Sequence, residues 1–126
     1  MPLRGGINIM EDTWQADRAI GKYRVVTYST TQGFVQLGAA KAAGIAGVTQ
    51  NSTSVSGDAV LVRQEGKSIV TISVATTIGV PLILSDAEGR VSNVGGATGD
   101  GIVGVPEETG SASGDQITCF LQIRRA

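Results

Sequence analysis

Two stretches decide how this chain is read: "GIAGVTQNSTSVSGD" at residues 44–58 and "GIVGVPEETGSASGD" at residues 101–115. Gly44 and Gly101 are 57 positions apart, and so are Asp58 and Asp115. Carried outward without a gap, that offset lays residues 23–64 on residues 80–121. "YRVVTYS" (23–29) then falls on "VPLILSD" (80–86), Gly38 on Gly95 and Ala40 on Ala97. Such a duplication is either a repeated site or a repeated piece of architecture. In "GIxGV", Gly44 and Gly47, like Gly101 and Gly104, suit a strand pressed against another backbone, where a side chain would clash. In "SGD", Gly57 and Gly114 supply a permissive φ, and the Asp that follows bonds its own backbone as a strand restarts. These are architectural demands, so the repeat reads as two pseudo-equivalent halves of one small barrel or sandwich.

The flanking pattern agrees. Short β-branched runs alternate with Gly, Ser, Asn and Asp clusters, eighteen residues are glycine, and aromatics make up only 4%. That is the signature of an all-β chain with a thin aliphatic core. "AVLVRQ" (59–64) reads as one strand and "KSIVTISV" (67–74) as another. In the latter, Val70, Ile72 and Val74 face one side, and Ile69, Thr71 and Ser73 the other. Ile117, Cys119, Leu121 and Ile123 alternate inward in the last strand, and "GAAKAAG" (38–44) allows one helical turn over 39–43.

Residues 1–21 stand apart from the β domain at 22–126. They mix charges with scattered apolar residues, Leu3, Ile7, Ile9, Met10 and Trp14, and neither strand nor helix periodicity holds for long. A disordered tail is one reading. The other is an extended arm that orders against a partner, with the chain's one tryptophan as an aromatic anchor. The arm is the expectation adopted here.

Chemistry is hard to place on this chain. It has no histidine, which removes Ser-His-Asp and Cys-His catalysis in their usual forms and the imidazole ligands of most catalytic zinc sites. A single cysteine, Cys119, builds no disulfide framework or thiolate zinc site, and its alternating apolar strand makes it a core residue. "GKS" at 66–68 fails as a phosphate loop, because Leu61 stands where the motif needs glycine. Glu107, Glu108 and Asp115 are close in sequence, but Gln50 and Asn51 replace the two glutamates in the other copy. The expectation is therefore a non-enzyme with no cofactor and no metal. Ten basic and eleven acidic residues leave a net charge of −1 and no basic stripe, so nucleic acid is not an expected partner. Nor is a membrane, because no apolar stretch reaches spanning length. Without a signal-peptide pattern at the start, synthesis and use without secretion are expected.

From about Ile20 onward the chain resembles the capsid decoration, or cement, proteins of tailed bacteriophages. The resemblance lies in "AIGKYRVV" (19–26), "GIAGVTQ" with "SGDAVLVRQEG" (56–66), "TTIGVPLILSDAEGRVSNV" (76–94), and the closing "GIVGVPEE" with "SGDQITCFLQI" (113–123). It implies a small β-barrel or β-tulip-like domain that forms a homotrimer on the outer capsid surface of the virion. There it would bind the major capsid protein and brace the lattice against internal DNA pressure, after synthesis in the host bacterial cytoplasm. Two rivals remain. One is a carbohydrate-binding or head-fibre domain displayed on a virion, with Trp14, Tyr23, Tyr28 and Phe34 as the candidate sugar platform. The other is a structural subunit of a non-viral assembly.

Overall fold

Wherever valine and isoleucine alternate with polar residues, the chain extends. The computed structural model describes residues 10–40, 42, 44–93 and 101–125, and among these it contains strands and no helix. The strands are β1 (Met10–Ala16), β2 (Val25–Tyr28), β3 (Phe34–Leu37), β4 (Ile45–Thr49), β5 (Ala59–Thr71), β6 (Leu82–Leu84), β7 (Val91–Asn93), β8 (Gly101–Pro106) and β9 (Gln116–Arg125). The all-β expectation holds. The helical turn expected over 39–43 lies partly outside the described residues, and what is described is Ala42 N donating to Ala39 O at 3.1 Å.

The strands hydrogen-bond in the order β1-β3-β2-β4-β5-β9-β8-β6-β7, and a further β1–β5 pairing closes the first five into a barrel. Closure removes the free edges that would otherwise invite association. The second half extends from β5 through β9, and its far end returns to the chain through a parallel bridge between Ile72 and Val91.

The duplication is visible in the register. Val48↔Arg63 and Thr49↔Val62 reappear as Val105↔Phe120 and Pro106↔Cys119, 57 positions on. The preceding hairpin slips. Tyr28↔Val35 reappears as Leu84↔Val91, which is 56 positions on, so the gapless alignment expected from sequence is wrong there by one residue. The extra residue falls between β7 and β8.

The N-terminal segment also has a counterpart. Ala16 pairs in parallel with Val35 just as Ile72 bridges Val91. Ala16 N donates to Asp58 O at 2.9 Å and accepts at its carbonyl from Gly57 N at 2.8 Å. Ile72 does the same with Asp115 O at 3.0 Å and Gly114 N at 2.8 Å. Residues 10–16 thus do for the first half what residues 66–72 do for the second. This corrects the expected boundary at residue 21, because from Met10 onward the arm is a wall of the first barrel. It also corrects the split between "AVLVRQ" and "KSIVTISV". These form one 13-residue strand running through Gly66 at φ 94, where the main partner changes from β1 to β9.

The cores repeat as well. Ala16, Val26, Val35, Ala46, Val60 and Val62 fill the first half, and their counterparts Ile72, Leu82, Val91, Val103, Ile117 and Cys119 fill the second. The first set is smaller, and Trp14 and Leu37 pack against it. Val25, Ile45 and Val48, from the other face of the first half, join the second cluster and so weld the halves together. Each fully buried Val or Leu of this weld is worth about 1.5–3 kcal/mol over exposure. Ile117, Cys119 and Leu121 are buried as expected, whereas Val74, expected to share a face with Val70 and Ile72, is 54% exposed beyond the strand's end.

Candidate functional site

The duplicated phrase folds into duplicated loops. Gly57 and Gly114 have φ of 94 and 89 in matching turns. Asp58 Oδ2 accepts from the N–H groups of Ser54 at 2.8 Å and Val55 at 3.1 Å. Asp115 Oδ2 accepts from those of Ser111 at 3.3 Å and Ala112 at 3.0 Å. The two N–H donors hold the Asp58 carboxyl below its ordinary pKa. At Gly47 and Gly104 an added Cβ would run into the carbonyl oxygens of Arg63 and Phe120, which are themselves counterparts. These two glycines meet the expectation of close backbone approach. Gly44 does not, since nothing lies within 4 Å of its would-be Cβ. Gly101 is buried at the start of β8.

The carboxylates of the second loop serve the fold. Glu107 pairs with Lys67 at 3.3 Å, and Glu108 Oε2 accepts from Thr118 N at 2.8 Å, which lowers the Glu108 pKa. Burial, with a smaller contribution from the Glu107 charge, pushes the Cys119 thiol up to about 12. Among the described residues no group of three or more His, Cys, Asp or Glu is gathered where a metal could sit.

Of the arm residues, Leu3, Ile7 and Ile9 lie outside the described residues. Met10 is 52% exposed at the start of β1. Trp14 packs on the first barrel's core, edge-on to Tyr28 with ring centroids 5.4 Å apart, and its indole N–H is buried without a partner among the described residues. Of the four aromatics expected as a sugar platform, Phe34 stands opposite Gln15 of β1, and none of Trp14, Tyr28 and Phe34 lines the groove that holds Tyr23.

That groove, with a volume of about 340 Å³, lies where β5 leaves the first barrel, between Tyr23, Gln50, Arg63, Lys67, Ser68 and Thr118. Its cations are already partnered. Arg63 Nε and Nη2 lie 2.7 and 2.6 Å from Glu11 Oε2, Arg63 Nη1 donates to Lys67 O at 2.8 Å, and Lys67 holds Glu107. Gln50 Nε2 donates to Ser68 Oγ at 2.9 Å. Lys22 Nζ sits 5.2 Å from the centroid of the Tyr23 ring.

Tyr23 has a φ of 63, the one positive value at a non-glycine residue among those described. The fold imposes it. Tyr23 N donates to Thr49 O at 2.8 Å, and Gly79 N donates to the counterpart Pro106 O at 3.1 Å with a φ of 81. The second half thus meets the left-handed requirement with glycine, while the first keeps a tyrosine at a cost of roughly 1–2 kcal/mol. The gapless alignment hid this by placing Tyr23 on Val80. Shifting it by one residue sets tyrosine on glycine, the signal that would have singled out the position.

No protein-family model matches the chain, and no curated protein matches it. The fold is nevertheless similar to a solved structure, the N base of the head fiber protein gp8.5 of bacteriophage phi29. The likeness has a TM-score of 0.72 and spans 91% of this chain and 95% of that one, at 16% sequence identity.

Proposed function

We propose that this protein is a structural component of a bacteriophage head, seated on the outer capsid surface and bound to the major capsid protein. The observation that carries the reading is the likeness to the phi29 head fiber N base, which extends over nearly the whole of both chains. The site agrees. The duplicated glycines and aspartates build turns, and the remaining acids bond backbone or basic side chains. In this reading the domain sits as a homotrimer where capsomers meet, cements them against DNA pressure, and is made in the host cytoplasm. Residues upstream of β1, with Leu3, Ile7 and Ile9, and Met10 at its start, form the capsid contact. Trp14 falls outside that contact, since it packs in its own barrel.

A second reading is favoured by the printed description of the neighbour as a base: the domain anchors a fibre to the head. Cryo-EM of the parent particle with and without this protein separates the two. Cementing predicts density bridging adjacent capsid subunits and heads that rupture at lower temperature when the protein is missing. A fibre base predicts density under a projecting fibre and heads of unchanged heat stability. Absence of the protein from purified virions would end both readings.

A further inference from the structure

We propose that the groove beside Tyr23 binds a neutral saccharide. The inference rests on comparing each lining residue with its counterpart in the other half. Tyr23 corresponds to Gly79, Gln50 to Glu107, and Arg63 to Phe120. A fold that forms equally well from the counterparts does not demand Tyr23, Gln50 or Arg63. Tyr23 in particular is held against its backbone preference, since its φ of 63 favours glycine. A side chain kept at such a position is a pointer to function.

The lining specifies the ligand class. Arg63 is neutralised by Glu11, and Lys67 by Glu107. A phosphate or carboxylate would have to displace those partners, so an anion is disfavoured. What remains is a tyrosine ring and Ile69 beside acceptor oxygens only. Gln50 Nε2 is spent on Val48 O and Ser68 Oγ, Ser68 Oγ on Ile69 O, and the Thr118 side chain on Glu108. That leaves the Gln50 carbonyl and the hydroxyl lone pairs to accept from a ligand's hydroxyl groups. An aromatic face receives the C–H face of a pyranose, and acceptor oxygens take hydrogen bonds from its hydroxyl groups. The groove, at about 340 Å³, is at the small end of ligand sites, the size for one or two sugar rings. This site does not depend on the capsid reading above.

The test is saturation-transfer NMR on the full chain with neutral mono- to trisaccharides of glucose, galactose, mannose and N-acetylglucosamine at millimolar concentration, alongside oligogalacturonate. Tyr23→Gly installs the residue that the second half already uses, so the variant folds and its amide spectrum stays dispersed. Gln50→Glu likewise installs a counterpart. The expected result is saturation of at least one neutral saccharide, with shifts at Tyr23, Gln50 and Thr118. Both variants should weaken that binding by at least about tenfold. Binding of the variants to purified heads should be unchanged. The proposal is overturned if no neutral saccharide binds, if oligogalacturonate is preferred, or if Tyr23→Gly binds as wild type does. Loss of head binding in Tyr23→Gly without any saccharide signal would reassign the groove to protein docking.

Discussion

Glu65 on β5 lies directly opposite Gln122 on β9, and the two are the same position of the duplicated unit, 57 residues apart. A residue can face its own counterpart only where a local two-fold axis passes between the strands. The two halves are therefore related about this pair, and Glu65 also pairs with Met10 of β1. The centre of β5 thus belongs to both halves, with Gly66 beside it at φ 94. A side chain at Gly66 would strain the point where the strand changes partners. Gly66→Ala should lower stability by roughly 1–2 kcal/mol, read as a lower urea midpoint with an unchanged slope.

The glycines of the repeated phrase should divide into two classes. Gly104→Ala forces a Cβ into the Phe120 carbonyl, with Cys119 Sγ 3.0 Å away, and Gly47→Ala does the same against the Arg63 carbonyl. Neither obstacle is the free end of a flexible side chain. Each substitution should cost about 1–3 kcal/mol as overpacking. Gly44→Ala meets open space and should stay within about 0.5 kcal/mol of wild type. Thermal melts of the three variants decide the matter, and equal effects at Gly44 and Gly104 would contradict the packing described.

Cys119 is the counterpart of Val62, and both are fully buried. Cys119→Val should therefore be accepted at a cost below about 1.5 kcal/mol. Cys119→Ser places a hydroxyl in the same apolar surroundings and should cost about 1–3 kcal/mol. With the thiol pushed up to about 12, a disulfide reagent at pH 8 should label the native protein only as fast as it opens, and fully in urea. Rapid labelling of the native protein would show that the β9 strand is not packed as described.

Acid should destabilise the protein through identifiable carboxylates. Asp58 and Glu108 accept backbone N–H bonds, and their pKa values fall below the ordinary 3.8 and 4.5. For Asp86, burial works against ionisation, but the Arg90 side chain and two backbone N–H groups outweigh it, so its pKa is also lowered. Lowered values mean that the folded state binds fewer protons than the unfolded chain. The stabilisation is complete above the unfolded pKa values and fades as pH falls through about 4.5 and below. Urea midpoints should be level near neutral pH and drop through that window, and Asp58→Asn with Glu108→Gln should flatten the drop.

What the sequence revealed depended on how local each feature was. Gly57 with Asp58, and Gly114 with Asp115, carry their turn chemistry within a few residues, and the alternation of Ile117, Cys119 and Leu121 is self-contained. The continuity of β5 was not legible, because "EGK" resembles a turn unless something pairs across it. Here Lys67↔Phe120 and Gly66↔Leu121 supply the pairing from the other end of the chain. β1 was hidden for a related reason. Met10, Trp14 and Ala16 fall on one alternation, but Asp12 interrupts it, and the strand is stabilised by the distant residues 59–65. Tyr23 was misplaced because one extra residue before β8 shifts the first hairpin by a single position relative to the phrase that was recognised.

The strongest test concerns that N-terminal strand. From Glu11 to Gln15, β1 pairs with Arg63 through Ala59, and Ala16 and Ile20 are buried at 0% and 1% exposure. Removing residues 1–19 would strip β5 of its partner, open the first barrel, and expose Val60 and Val62. Were these residues the free arm that the sequence suggested, the truncation would leave a folded domain that binds particles more weakly. The register predicts instead a chain that aggregates or melts without a cooperative transition. Trp14→Ala should be milder, costing about 2 kcal/mol, because the side chain is only half-buried. Adding a synthetic peptide of residues 8–20 to the truncated chain should restore a dispersed amide spectrum by re-forming the β1–β5 pairing. A truncated domain that is monomeric, cooperative and as stable as the full chain would show that β1 is dispensable, and would return residues 10–20 to the role of a free arm.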